Sequence, residues 1–455
     1  MSTLSQIGYS GVHAAQTALA STGQNIANAN TPGFSRLNAL FASRAGSSAL
    51  NAGGGVEVTS IRRLSNEFLS QQLWRANSEQ HFFESNQQYL GALEGLMGGE
   101  GSSISVGLDQ FFAALSEASP TPSSLALRQQ ILSEAGNLAQ RFNGLNGNIQ
   151  AQLDALHEQR QAMVAETNGL IGNIAELNKR IIETESVKGD SNALRDQREN
   201  LTQQLSRFAA LRINEVADGS YTIALTNGQP LVVGATAARL DLSLDASNQQ
   251  SISLAFAGTQ FPLRQDSFGG ALGGLYSSEY AALRPMQGAL HQMAEQLAQM
   301  VNGVMTAGFD LAGNPGQALF TYDAASTTQM LRVEALSAEQ LAFSDSAGEQ
   351  GNNGNLLDLL GLKSQGITLN GSAFTLNDAY ASLLGRVASD SRQSKADLQT
   401  TTAVTQQAQA QRDSVSAVNL DEEAVSLMTY QQAYQANMKV IATARDIFEE
   451  MLASF

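Results

Sequence analysis

Cysteine is absent from all 455 residues. Disulfides, thiolate metal sites and cysteine nucleophiles are therefore excluded. Histidine is scarce, with isolated residues at positions 13, 81, 157 and 291. Basic residues are few for the length: 26 Lys and Arg against 42 Asp and Glu give a formal net charge of −16. A chain so acidic is not expected to bind nucleic acid or to anchor on anionic lipid. No apolar run approaches the roughly 20 residues of a membrane span, so no membrane insertion is expected. Residues 1–30 hold no charged region followed by an apolar one, which predicts no Sec-type signal peptide. The chain is expected to stay in the cytoplasm or to leave by a route without a cleaved signal.

Motifs that carry chemistry are equally thin. His157-Glu158 opens an HExxH pattern, but Gln161 stands where the second zinc ligand belongs. FGGALGGL (268–275) lacks both the GxGxxG and the GxxxxGK spacing and reads as a backbone-packing turn. Asp310 and Asn314 in GFDLAGNPG lack the alternating ligands and terminal glutamate of a calcium loop, so a surface turn is expected. No catalytic, metal-binding or cofactor-binding residue is assigned, and the chain is read as not an enzyme.

What the chain does have is helical periodicity. Residues 3–27 read as a helix of small residues, with Val12, Leu19 and Ile26 seven apart and Gly8, Ala15 and Thr22 beside them. It should stop in GQNIANANTPGFSR, where Asn28 and Asn30 cap or turn the chain and Pro32-Gly33 cannot continue a helix. An irregular segment is expected after Phe34, then a short strand in GVEVTSIRR. Leu69, Ala76, Phe83, Leu90 and Met97 form one heptad row, and a short helix is expected at about 106–117. Phe142, Ile149, Leu156, Met163, Leu170 and Leu177 occupy six successive seventh positions. A single helix over 124–186 would carry them, about 90 Å long. Helix resumes to about 210, and again at 277–306 and 377–414.

From 211 the period changes to two. Asp218-Gly219 and Asn227-Gly228 are tight-turn signals. Strands near 239–244 and 251–263 would complete one small antiparallel sheet. Residues 308–375 read as mixed and loop-rich, with SDSAGEQGNNGN as a flexible loop.

The last stretch, Asn419 to Phe455, reads as one amphipathic helix. Asn419 is the N-cap and Glu422 completes a capping box. Leu420, Leu427, Tyr434, Ile441 and Phe448 recur every seventh residue. Such a helix is marginal alone and calls for a partner. Helices from both ends of the sequence flank the β region, which predicts that the two termini fold together.

The two ends carry a more specific signal. GQNIANANTPGFSR (23–36), with Asn25, Asn28, Asn30, Pro32, Gly33 and Phe34, resembles the N-terminal signature of bacterial flagellar axial proteins, and residues 416–452 resemble the matching C-terminal signature. Between them VEVTSIRRL (56–64), GLDQFFAAL (107–115), LRDQRENLTQQL (194–205), GSYTIALTNGQPLVV (219–233), GALGGL (270–275) and LNDAYASLL (376–384) are similar, in order, to the family of flagellar hook-associated protein 1, FlgK. The resemblance covers most of the chain, which is shorter than many members and looks compressed after about 320.

The resemblance and the periodicities together give a mainly α fold with a β module. Residues 1–35 and 416–455 would form a terminal coiled-coil assembly domain. Residues 36–210, 275–306 and 376–415 would form an elongated helical body, and 211–274 a β-rich outer domain; 307–375 would join one or the other. The resemblance implies a structural protein at the hook–filament junction, outside the cell, exported unfolded by the flagellar type III system and assembled as a ring. Its implied partners are copies of itself, the hook protein, the second hook–filament junction protein and an export chaperone. Val12, Leu19, Ile26, Leu420, Leu427, Tyr434, Ile441 and Phe448 are the candidate assembly and chaperone residues. A hook-type axial subunit is the alternative, disfavoured by the long body helices. An adhesin built on an axial frame is a third.

Overall fold

A computed structural model describes residues 3–45, 53–244, 249–263, 268–369 and 371–454. It is mainly α, with small antiparallel sheets set among long helices. The terminal helix α1 (Thr3–Ala27) leads to a hairpin, β1 (Leu37–Ser43) and β2 (Val56–Arg63). The body follows with α2 (Glu67–Gly98), α3 (Ile104–Ala118), α4 (Leu125–Ser186) and α5 (Asn192–Phe208).

The 62-residue α4 is the spine. Its heptad row is the reason it stays in one piece: Phe142, Ile149, Leu156, Leu170 and Leu177 are buried, with Met163 at the edge of both cores. The helix stops where Lys188 turns into the left-handed region, at φ 58°, and the Gly189 amide donates back to the Thr184 carbonyl at 2.8 Å. At the start of α2, Asn66 accepts from the amides of Phe68 and Leu69.

Helix returns as α6 (Gly270–Ser277), a π-helical turn (Ser278–Leu283) and α7 (Arg284–Ala307). Helix thus resumes inside the glycine-rich stretch 268–280, as its sequence suggests, ahead of the heptad row at 277–306. The glycines are there for backbone packing: a Cβ on Gly274 would come 2.9 Å from Ser85 Cβ and closer still to the Phe82 carbonyl oxygen on α2. Leu290, Met293 and Leu297 of α7 join Phe111 and Phe112 of α3, the first half of α4 and Leu376–Val387 in one core. The Tyr380 hydroxyl, buried there, donates to the Met97 carbonyl at 2.7 Å.

The β region differs from expectation in one respect. It forms two sheets, not one. Strands β3 (Leu211–Glu215), β4 (Tyr221–Leu225), β5 (Pro230–Val233) and β6 (Thr236–Ala237) lie in that order, and β7 (Arg239–Leu244), β8 (Gln250–Phe256) and β9 (Thr259–Pro262) form the second. The single strand expected at 251–263 is split by a turn at Ala257-Gly258, both at positive φ. The Asp218-Gly219 and Asn227-Gly228 turns close their hairpins as their sequence requires, with Ile213 opposite Ile223. Both sheets share a core with helices: Trp74, Ile171, Ile174, Leu205 and Leu272 pack with Tyr221, Ile223, Leu231 and Leu254.

Two further expectations are corrected. The segment after Phe34 is not irregular at its start: Leu37–Ser43 is β1, paired with β2 through a bulge at Leu40/Phe41, while residues 46–52 of that segment lie outside the described ones. The flexible loop expected at 344–355 is tied down, for the Asn352 amide group bonds Asp345 and Glu349 and that of Asn355 bonds the Ala342 carbonyl. This region adds the short pairs β10 (Phe320–Tyr322) with β11 (Leu331–Val333) and β12 (Ile367–Leu369) with β13 (Ser372–Phe374) around α8 (Gly354–Gly361). The chain ends in α9 (Leu376–Ser416), laid against α2, and α10 (Leu420–Ala453).

Candidate assembly interface

Helix α1 pairs with α10, and the two run antiparallel. Gly8 faces Val440 and Ile441, and Gly11 faces Asn437. Ala14 and Ala15 lie toward Tyr430 and Ala433. The pairing face of α1 is made of small residues: Gly8, Gly11, Ala14, Ala15, Ala18, Ser21 and Thr22 are all buried. Glycine lets the backbones approach closely, since a Cβ on Gly8 would sit 2.8 Å from Ile441 Cγ1.

The candidate residues divide accordingly. Val12 is buried, Leu19 half-buried and Ile26 exposed. Tyr434 and Ile441 are half-buried, whereas Leu420, Leu427 and Phe448 are exposed. The chain thus covers part of each row and leaves Ile26, Leu420, Leu427 and Phe448 exposed. Its own contact with α1 uses Asn437, Val440 and Ile441, with Tyr430 and Ala433 beside them, and Ala444 is buried further along. Close packing on glycine favours small or slender residues at the centre, which displaces the large apolar row toward the outside. Besides that row, Val425, Met428, Met438, Ile447, Met451 and Leu452 remain exposed.

The Asn-rich connection is a compact joint. The Asn25 side chain is buried and pairs twice with the Leu37 backbone, donating to its carbonyl at 2.9 Å and accepting from its amide at 2.8 Å. Asn25 thereby ties α1 to the start of β1. Asn28 donates to the Gln24 carbonyl and accepts from the Thr31 hydroxyl, while Asn30 is exposed. Thr31 to Phe34 form a tight turn closed by the Phe34 amide on the Thr31 carbonyl, with Gly33 at φ 78°. Proline followed by glycine is what a type II turn requires. Phe34 is half-buried beside this turn.

At the other chain end Asn419 caps α10 by accepting from the Asp421 amide at 3.0 Å. The expected capping box does not form. Glu422 is drawn away by Arg36, which pairs with Glu422 at 2.5 Å and with the buried Glu423 at 2.7 Å. The Arg36 amide also donates to the Ser416 carbonyl, and the Leu64 amide to the Arg36 carbonyl.

Beneath this joint lies an ionic cluster that sequence reasoning missed. Arg63 at the end of β2 pairs with Glu199, with Asp196 at 2.9 Å and with the Ser35 hydroxyl at 3.3 Å. Glu199 also accepts from the Ser70 hydroxyl at 2.8 Å and pairs with Arg412 at 3.4 Å. The Ser35 amide donates to Asp196 at 3.2 Å. Burial pushes the Glu199 carboxyl up, but Arg63, Arg412 and Ser70 outweigh it and hold it below the usual range. For Asp196 burial wins over Arg63, and its carboxyl lies above that range. Arg63 and Glu199 are 136 residues apart, and Arg412 and Glu199 are 213 apart, so no local spacing could announce the contact.

Elsewhere His157 contacts the buried Glu279 at 3.2 Å, alongside Arg160 and Arg284, inside the fold. The Asp310 carboxylate accepts from the amides of Ala312 and Asn314 and from the Asn314 side chain, which makes it the surface turn expected.

Comparison with known proteins gives this architecture a family. Residues 90–320, just over half of the chain, match the flagellar hook-associated protein FlgK helical domain. The chain belongs to the FlgK family. Residues 6–34 match the flagella basal body rod protein family, and 409–454 the C-terminal family of the basal body rod proteins FlgEFG. The two rod-type segments fall on α1 with its Asn-rich turn and on the end of α9 with α10. Flagellar hook-associated protein 1 of Salmonella typhimurium is 25% identical over 99% of this chain and 100% of its own length. Its counterpart in Escherichia coli is 25% identical over 99% and 100%, and that of Bacillus subtilis 23% over 96% and 95%. The flagellar hook junction protein FlgK of Burkholderia pseudomallei shares the fold, with a TM-score of 0.68 at 18% identity, over 75% of this chain and 99% of that one. The Salmonella alignment runs over 554 positions, more than the 455 residues here, so this FlgK-family chain lacks stretches that its longer relative has.

Proposed function

We propose that this chain is a structural, non-catalytic subunit of the bacterial flagellum that joins hook to filament. The observation that carries the reading is the outer face of α10. Leu420, Leu427 and Phe448 are left uncovered by their own chain, although the helix is already paired with α1. Apolar surface of this extent on a helix favours burial against other chains. Family membership supports a place in the flagellar axis, and the names borne by the relatives support the junction.

On this reading residues 1–35 and 416–455 form the terminal assembly unit. Residues 36–210, 275–306 and 376–415 form the surrounding helical body, 211–274 the outward β-rich part, and 307–375 an addition to one of these. The subunits close into a ring, with the hook protein below and the second hook–filament junction protein above. The chain leaves the cell unfolded through the flagellar type III apparatus, after an export chaperone has held the α10 row. Val12, Leu19, Tyr434 and Ile441 pack first inside the terminal unit or at its edge. The exposed members of the two rows bind neighbours.

Antibody labelling of isolated hook–filament particles tests the placement. Label confined to the boundary between hook and filament is expected. Label spread along the hook would overturn it and favour the hook-type alternative.

A further inference from the structure

Four charged side chains from three separate elements meet out of water where the terminal unit joins the body. Arg63 closes β2, Asp196 and Glu199 stand on one face of α5, and Arg412 lies near the end of α9. Glu199 alone links α5 to α2 through Ser70, to β2 through Arg63 and to α9 through Arg412. Asp196 adds the connection itself, through the Ser35 amide. Arg412 also pairs with the partly exposed Asp413 at 3.1 Å, so two guanidinium groups face three carboxylates, two of them buried.

Such a cluster imposes direction. An apolar contact tolerates sliding and rotation, whereas Arg63 donates to Glu199 and to the Ser35 hydroxyl and stands 2.9 Å from Asp196 as an ion pair, which restricts where its guanidinium can sit. Packing around the joint is thin by contrast. Helix α1 packs mainly on α10 and on the β1–β2 hairpin. A cleft of about 1070 Å³, lined in part by Gln16, Gln24, Leu177 and Arg180, separates it from α4 and α5.

We infer that this cluster is an orientation lock, fixing the direction in which the β1–β2 hairpin, and with it α1 and α10, leaves the helical body. Glu199 is its central positioning residue. The lock belongs to the single chain and does not depend on the function proposed above.

The absence of native cysteine makes the test clean. Spin labels are placed on Asn38→Cys in the hairpin and Lys179→Cys on α4, both exposed positions. Pulsed dipolar spectroscopy on the full chain reads the distance between them. A single narrow distribution is expected with the cluster intact. Glu199→Gln should at least double its width while amide protection in the α4 core, Phe142 to Leu156, stays unchanged. If that variant does not fold, Arg63→Lys keeps the charge, removes the fork and is expected to broaden the distribution in the same way. A folded variant as narrow as the parent would overturn the lock, as would a parent distribution already broad. Loss of α4 protection in both variants would also overturn it, because the cluster would then support the body and not the joint.

Discussion

Gly11 on α1 offers the sharpest test of how the terminal helices pair. Glycine inside a helix costs about 0.5–1 kcal/mol relative to alanine, so Gly11→Ala on an isolated helix would stabilise it. In the pair the added Cβ would stand 2.7 Å from Asn437 Nδ2 and overlap Asn437 Cγ and Oδ1 still more. Either the Asn437 amide swings out and loses its 2.8 Å bond to the Ala433 carbonyl, or the helices part. The first costs about 0.5–1.5 kcal/mol and the second about 1–3 kcal/mol. The cheaper route decides, so the propensity gain is cancelled and Gly11→Ala should lie within about 1 kcal/mol of the parent, without the gain seen on an isolated helix. Gly23 is the control, for a Cβ there meets nothing within 4 Å, and Gly23→Ala should gain about 0.5–1 kcal/mol. Combining Gly11→Ala with Asn437→Ala removes the overlap and keeps the propensity gain, so the two changes should couple favourably by about 1–2 kcal/mol. Amide exchange along α1 reads these changes locally. If Gly11→Ala raises protection as much as Gly23→Ala does, the close antiparallel contact is wrong.

Other predictions follow from the same geometry. Gly274→Ala pushes a Cβ into the backbone of α2, which cannot rotate away, so the loss should be about 2 kcal/mol, read as a lower denaturant midpoint at unchanged slope. Phe448→Asp alters an exposed side chain, so folding should be unaffected while motility and chaperone binding fail; survival of both would show that the row is not an interface. Burial raises the Glu279 carboxyl, but Arg160, Arg284 and His157 hold it below the usual range. A depressed folded value means a stabilising contribution present above the usual carboxylate range and lost as pH falls through the folded value. Melting temperature should therefore drop on acidification below about pH 4.5, and Glu279→Gln should flatten that limb while destabilising the protein by about 3–5 kcal/mol at pH 7 through the unpaired Arg160.

Much of the fold was legible because helices this long must bury a repeating stripe. The six-member row on α4 foretold a helix within a residue of its ends, and the rows on α2 and α7 foretold that helices lie there. The Asp-Gly and Asn-Gly turns foretold two hairpins, while Ala257-Gly258, with no such signature, hid a third. Strand β1 was hidden for a different reason: of LNALFAS only Ala39 is buried, so no alternation marks it. The candidate interface was half legible. A seven-residue row does announce that α10 needs a neighbour, and the small residues of α1 announce close approach. Which row of α10 meets α1 depends on where glycine permits contact, and that is decided by two helices more than 400 residues apart in the chain. Arg36 shows the same limit, because its pull on Glu422 undoes a capping box that local sequence alone would form.

The proposed role of this FlgK-family chain is to join hook to filament. Deleting its gene and imaging the cells by electron microscopy, with the medium assayed for flagellin, tests it most directly. Hooks without filaments and flagellin released into the medium are expected. Normal filaments on the deletion strain, or cells lacking hooks altogether, would contradict it.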